Sequence, residues 1–112
     1  MSLSADQGQL ERLALAFRGL AHPTRLQILA ALQGDTKLSP SQMLERIPDT
    51  ALANVAYHTR ELASLGLLRP AGHRPARGAL EHFYRLSAHG EEMIELVERS
   101  LSGGPDDGGR PC

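Results

Sequence analysis

The chain has 112 residues, 41% hydrophobic and 22% charged, and its 12 Lys and Arg nearly balance its 13 Asp and Glu. That length suits one domain, on a prior of roughly 100–200 residues each, small enough that pairing with a second copy adds usefully to the core. The lone Cys112 excludes an internal disulfide and any multi-thiolate metal site, no apolar run approaches the roughly 18 residues of a membrane span, and the polar start MSLSADQGQL has no signal-peptide core, so the expected location is cytoplasmic.

Leu10, Leu13, Ala14, Phe17 and Leu20 follow the spacing of one helix face. Pro23 then suits a first helical turn, where its missing N–H has no partner to lose. Leu26, Ile28, Leu29 and Leu32 carry a second helix that Gly34 closes. Ser39-Pro40-Ser41-Gln42 starts a third, with Ser39 as cap and Gln42 reaching back to complete a capping box. This short helix, about residues 39–47, ends before Pro48 because the residue ahead of proline disfavours helix. Asp49 or Thr50 is the expected cap of a fourth helix, running to about Leu65 and stopping at Gly66.

Beyond Gly66 the rhythm changes to extended chain. Leu67 to Arg69 and Ala79 to Leu86 read as two strands around a basic Pro/Gly-rich tip, PAGHRPARG. Ser87 caps a last helix, with Glu91 and Glu92 where negative charge suits the helix dipole. The expected fold is therefore mainly α with a β-hairpin, in the order α-α-α-α-β-β-α, over residues 1–101. Residues 102–112, with four Gly and two Pro, read as a disordered tail, and Cys112 in it as incidental.

The near-neutral total hides a pattern. Residues 54–86 set Arg60, Arg69, Arg74, Arg77 and Arg85 against Glu61 and Glu81, while residues 87–112 set only Arg99 and Arg110 against six acids. A basic middle beside an acidic end bears on partners more than the sum does.

The basic middle begins in a helix-turn-helix candidate. A short helix, a turn at 48–50 and a second helix followed by a hairpin make the layout of a winged helix. Its second helix suits the roughly 12 Å major groove of DNA. On that helix Leu52, Val55, Thr59 and Leu62 share the side expected to anchor in the core, while Ala53, Asn54, Tyr57, Arg60 and Glu61 share the other. Asn pairs bidentately with adenine, Arg with guanine or phosphate, and Tyr with phosphate, while small Ala53 and Ala56 permit close approach to thymine methyls. His73, Arg74 and Arg77 on the hairpin tip suit phosphate. A solvated helix face and a merely soluble loop are the plainer readings of the same residues.

The residues also carry a family resemblance. Ala21-His22-Pro23-Thr24-Arg25-Leu26-Gln27-Ile28-Leu29 resembles the second-helix signature of ArsR-type (arsenic-repressor-like) winged helix-turn-helix regulators. Asn54-Val55-Ala56-Tyr57-His58, with Leu62 and Gly66-Leu67-Leu68, resembles their recognition helix and its exit into the wing; Phe83-Tyr84-Arg85-Leu86 resembles their second wing strand. The likeness spans about residues 10–100. It implies a homodimer that binds double-stranded operator DNA and represses transcription until an effector intervenes. The DNA-facing set is then Asn54, Ala56, Tyr57, His58, Arg60, His73, Arg74 and Arg77. Pairing of the first and last helices across the dimer, also implied, puts Leu10, Leu13, Phe17, Met93, Ile94, Val97 and Leu101 in that interface.

The chain departs from the family in its signal. The third helix, SPSQMLERI, has none of the cysteines that bind metal or arsenic in many members, and the last helix offers only His89 near its start. His82 and His89 are candidates to meet near the wing base. No metal site and no cofactor is expected. An enzyme is the weakest reading, because no phosphate-binding glycine loop, G-x-S-x-G or H-E-x-x-H is present. The alternative to a DNA-binding regulator is a winged-helix protein-interaction module that does not bind DNA.

Overall fold

The computed structural model describes residues 6–102. In chain order these form α1 (Gln7–Gly19), α2 (Pro23–Ala31), α3 (Pro40–Leu44), α4 (Leu52–Ser64), β1 (Leu68–Ala76), β2 (Ala79–Leu86) and α5 (Ala88–Ser102). The tail that follows, with Cys112, lies outside the described residues.

Local chemistry sets most of the boundaries. Asp6 and Ser39 each cap a helix as half of a capping box, with Gln9 and Gln42 as the returning side chains. Pro23 and Pro40 both open helices. The start of α4 differs from expectation. Its N-cap is Ala51, with no side-chain cap. Asp49 is unavailable because it takes φ 60° to turn the chain after Pro48, whereas a capping residue needs extended backbone. Thr50 instead accepts a hydrogen bond from Asn54 Nδ2 at 2.8 Å.

The core gathers around α2. Ile28, Leu29 and Leu32 meet Met43 of α3, Val55 and Leu62 of α4, Leu67 and Leu68 at the entry to β1, Leu86 of β2, and Met93 and Ile94 of α5. Each such side chain contributes roughly 1.5–3 kcal/mol by leaving water. Leu52, expected among the anchors, lies on the exposed side of the helix start.

The hairpin is longer and tighter than its sequence suggests. β1 runs through both prolines to Ala76, and the turn is only Arg77-Gly78, with φ of 51° and 79°. Two positive values mark the hairpin turn whose twist matches its strands. Pro70 is tolerated because it pairs with Tyr84, whose N–H and C=O both point away, to Leu38 (2.9 and 3.1 Å). Pro75 lies one step inside the Ala76–Ala79 pair that closes the turn, again at a position needing no ladder hydrogen bond. A register shift at Gly72 (φ 104°) separates the base of the hairpin from its tip.

The terminal helices differ from their expected roles. α1 meets the core through Ala16, Gly19 and Leu20, not through its leucine stripe. Leu13, Leu15 and Phe17 are left exposed, as are Leu96 and Leu101 of α5. Met93 and Ile94, expected in an interface, are committed to this protomer's own core and offer nothing to a partner. Leu10 and Val97 are half-buried. Leu15 escaped the sequence reading because it sits beside the assumed stripe, whereas Leu96 belongs to the apolar face that the sequence predicts for α5.

Candidate nucleic-acid interface

α3 and α4 meet across the turn at 45–51, and the hairpin folds back beside α4. Val55, Thr59 and Leu62 hold α4 on the core. The Thr59 hydroxyl donates to Val55 O at 2.8 Å, so its polarity costs nothing in burial. The opposite side exposes Ala53, Asn54, Tyr57 and Arg60, with Ala56 half-buried between them. A cleft of about 600 Å³ separates this side from the hairpin; Leu52, Ala56, Arg60, Arg77, Leu80 and His82 line it. Among the described residues neither Arg60 nor Arg77 has an acidic partner.

His58 requires a correction. Its side chain is 4% exposed and points into the protomer, so it presents no surface to a ligand lying on α4. Its Nδ1 accepts a hydrogen bond from Arg25 Nε at 3.0 Å. The His22 ring lies 4.4 Å away between centroids and Tyr57 meets it edge-on at 5.1 Å. Arg25 also lies 3.8 Å from Glu61. Burial first, then His22 and Arg25, holds the imidazole below its ordinary pKa, with Glu61 opposing.

The hairpin's arginines divide. Arg77 stands free at the turn, in a left-handed conformation that only a few per cent of non-glycine residues adopt. Arg74 Nε is bound to Glu81 Oε1 at 2.9 Å, with its guanidinium 5.4 Å from the Phe83 ring centre. Glu81 accepts a second hydrogen bond, from the Ser39 hydroxyl that caps α3. The sequence reading missed this acid because it lies seven residues from Arg74, on the other strand; the tight turn puts them directly opposite. Glu81 thus braces the hairpin against the helix-turn-helix, and the charge of Arg74, held by it, is partly neutralised. His73 faces His82 across the strands at 5.9 Å between ring centres. His82 therefore does not meet His89, whose Nδ1 lies 3.6 Å from Glu92.

The Ser39 hydrogen bond, then Arg74, holds the Glu81 carboxyl below its ordinary value near 4.5. A depressed carboxylate pKa contributes stability that is present above the ordinary value and lost as pH falls through the folded one. Wild type is expected to melt higher than Glu81→Gln above about pH 5, with the gap closing in acid. A melting difference independent of pH in calorimetry would contradict the brace.

Comparison with known proteins now bears on this geometry. A family model described as a helix-turn-helix domain matches residues 20–71. HlyU from Vibrio cholerae is 26% identical with a TM-score of 0.70, the alignment covering 87% of this chain and 99% of HlyU. An ArsR-like transcriptional regulator from Rhodococcus is 27% identical with a TM-score of 0.61, covering 88% of this chain and 85% of its own. The chain carries a helix-turn-helix domain within a winged helix-turn-helix fold and is similar to an ArsR-like regulator. A homodimeric winged helix-turn-helix DNA-binding domain from Mycobacterium bovis, a possible ArsR-family regulator, shares the fold at 19% identity, with a TM-score of 0.72 and full coverage of both chains. No curated protein sequence matches significantly.

In this winged helix-turn-helix, α4 occupies the recognition-helix position and the β1–β2 hairpin is the wing. The family match ends one residue before Gly72, so the bulge, the wing tip and α5 lie beyond it. Among the described residues no group of three or more His, Cys, Asp or Glu is placed to hold a metal ion, and no helix is long and apolar enough to cross a membrane.

Proposed function

We propose that the chain is a dimeric, sequence-specific DNA-binding regulator of transcription, and that it represses. The observation that carries this reading is the cleft between α4 and the wing, with an unpaired guanidinium on each wall: Arg60 on the helix, Arg77 on the turn. Asn54, Tyr57 and Arg60 face the major groove and read or position on it, Ala56 lets the helix approach, and Arg77 holds a phosphate. Arg74, held by Glu81, and exposed His73 add to this surface on the wing. A basic surface of this kind binds duplex DNA with an affinity that falls steeply with salt. The test is footprinting of the purified protein on genomic DNA, followed by titration of the protected duplex over a range of salt. Binding without salt dependence, or none at all, removes the reading.

Dimerisation follows from the face that one protomer leaves bare. Leu13, Phe17 and Leu101, joined by Leu15 and Leu96, stand exposed on α1 and α5, where a second copy would cover them. The Mycobacterium bovis domain of the same fold is a homodimer. Pairing through these helices sets two α4 helices about one DNA turn apart, as a palindromic operator requires. Repression is the simplest outcome of a dimer covering that length of promoter. Phe17→Glu is expected to weaken the dimer by on the order of 2–4 kcal/mol, read by sedimentation equilibrium, while leaving the monomer fold intact because Phe17 is half-exposed already.

A second reading has one observation in its favour: Leu52 and Leu80 also line the cleft and are exposed, as a protein-binding groove would have them. Capture of a peptide there, with no salt-sensitive duplex binding, would favour the interaction module.

A further inference from the structure

His58 lies behind the recognition face, and its contacts join that face to α2. It is the residue after Tyr57, whose ring touches it, and it receives its hydrogen bond from an α2 side chain 33 residues away. Arg25 is itself buried, 8% exposed overall, so the bond is shielded from water on both sides. The acceptor is Nδ1, so the latch exists only while the imidazole is neutral with its proton on Nε2. A proton added at Nδ1 replaces an acceptor by a donor facing a donor, and a neutral ring by a cation against a guanidinium.

We propose that Arg25 and His58 form a proton-sensitive latch that fixes α4 against α2, and that acidification opens it and weakens operator binding. Both are positioning residues, since neither reaches the DNA face. The proposal rests on the DNA reading above and adds a regulatory input to it. The titratable and charged groups facing His58 are Arg25 and His22 from α2 and its cap, and Tyr57 and Glu61 from α4. Arg25 and His22 oppose a charge on His58, and the half-exposed Glu61 favours it. The sign follows. An imidazole held below its ordinary value of 6.5 is neutral in the latched state, so the unlatched state binds more protons and is favoured as pH falls below that value. Recognition by Asn54, Tyr57 and Arg60 needs α4 placed to within roughly 0.5 Å, so loosening its anchor costs affinity.

The variant that isolates the latch is His58→Gln. The glutamine carbonyl can accept from Arg25 and does not titrate. Wild type and His58→Gln, as full chains, are titrated with the footprinted duplex at constant ionic strength between about pH 7.5 and pH 5.5. Every other side chain is the same in both proteins, so a pH effect that does not pass through His58 cancels in the comparison. The expected result is equal affinity at the upper pH and a wild-type deficit at the lower one. That deficit approaches roughly tenfold for each pKa unit separating latched from unlatched His58. In parallel, nitrogen-15 NMR of wild-type His58 should report an unprotonated Nδ1 and a titration below the ordinary imidazole value, with Tyr57 and Arg60 amides moving alongside. Identical pH profiles in the two proteins overturn the latch while leaving DNA binding in place, and so does ordinary titration of His58. Absence of duplex binding by either protein at any pH overturns the DNA reading first, and this proposal with it. If His58→Gln does not fold, the wild-type NMR titration decides alone.

Discussion

A protein carrying Arg60→Ala together with Arg77→Asn is expected to lose about 2–6 kcal/mol of operator affinity while folding as well as wild type. Each arginine contributes about 1–3 kcal/mol if it contacts DNA, and the two stand on different elements lining the cleft, so the range is the sum of the two losses. The single variants should differ in kind. Arg60→Ala should relax sequence preference, because a guanidinium on the recognition helix reaches base edges. Arg77→Asn should weaken all duplexes evenly and flatten the salt dependence by about one unit. Asparagine is the informative replacement at the turn. It tolerates the φ of 51° that arginine adopts there, and Asn-Gly is the favoured pair for such a hairpin. The wing should therefore keep or gain stability as it loses charge. Fluorescence anisotropy across salt concentrations, with thermal melts alongside, separates the two effects. Full affinity in the double variant would exclude the cleft as the DNA site.

Gly90→Ala should be the most damaging small substitution in the chain, costing about 3 kcal/mol or more. Gly90 lies in the first turn of α5, buried against the strand entry. A methyl group there would sit 2.0 Å from Leu67 O and 3.0 Å from Leu67 C. Backbone cannot step aside, because Leu67 O already accepts from Ser87 N–H at 3.0 Å and Ser87 Oγ donates to Gly66 O at 2.6 Å. Gly19 provides the contrast. A methyl there meets the Leu67 Cδ1 end at 2.7 Å, a side-chain tip that can rotate. Gly19→Ala should cost about 1 kcal/mol, and urea unfolding of both variants compares backbone with side-chain obstruction directly. Equal losses would mean that α5 shifts freely on the strand entry.

Helix order and the Ser39–Gln42 capping box could be read from the sequence because they depend on residues three or four apart; the Asp6–Gln9 box, of the same spacing, was missed. The exposed side of α4 followed for the same reason: helical spacing separates Asn54, Tyr57 and Arg60 from Val55, Thr59 and Leu62. What else escaped depends on distant partners. Pro70 and Pro75 suggest a loop; β1 runs through them because Tyr84, opposite Pro70, bonds to Leu38, and because Pro75 sits beside the pair that closes the turn. His58, placed by sequence at the edge between core and DNA, is drawn inward by a hydrogen bond from Arg25, 33 residues away. Arg74 seemed free because Glu81 comes opposite it only once the turn has closed. Met93 and Ile94 share a helix with Leu101, but α2 lies against the first part of α5 and not its end, so one apolar stripe serves two purposes.

The bridge between Leu38 and Tyr84 has a mechanical consequence. Two backbone hydrogen bonds splice the lower wing to the connector ahead of α3, while the shift at Gly72 leaves the upper part free of that splice. Further out, Glu81 ties the upper wing to the Ser39 cap of α3, so the hairpin is held at two heights and only its Arg77-Gly78 turn lies beyond both ties. Arg77 is thus carried at a set place relative to α4, and the spacing between the two walls of the cleft is built into the fold before any ligand arrives.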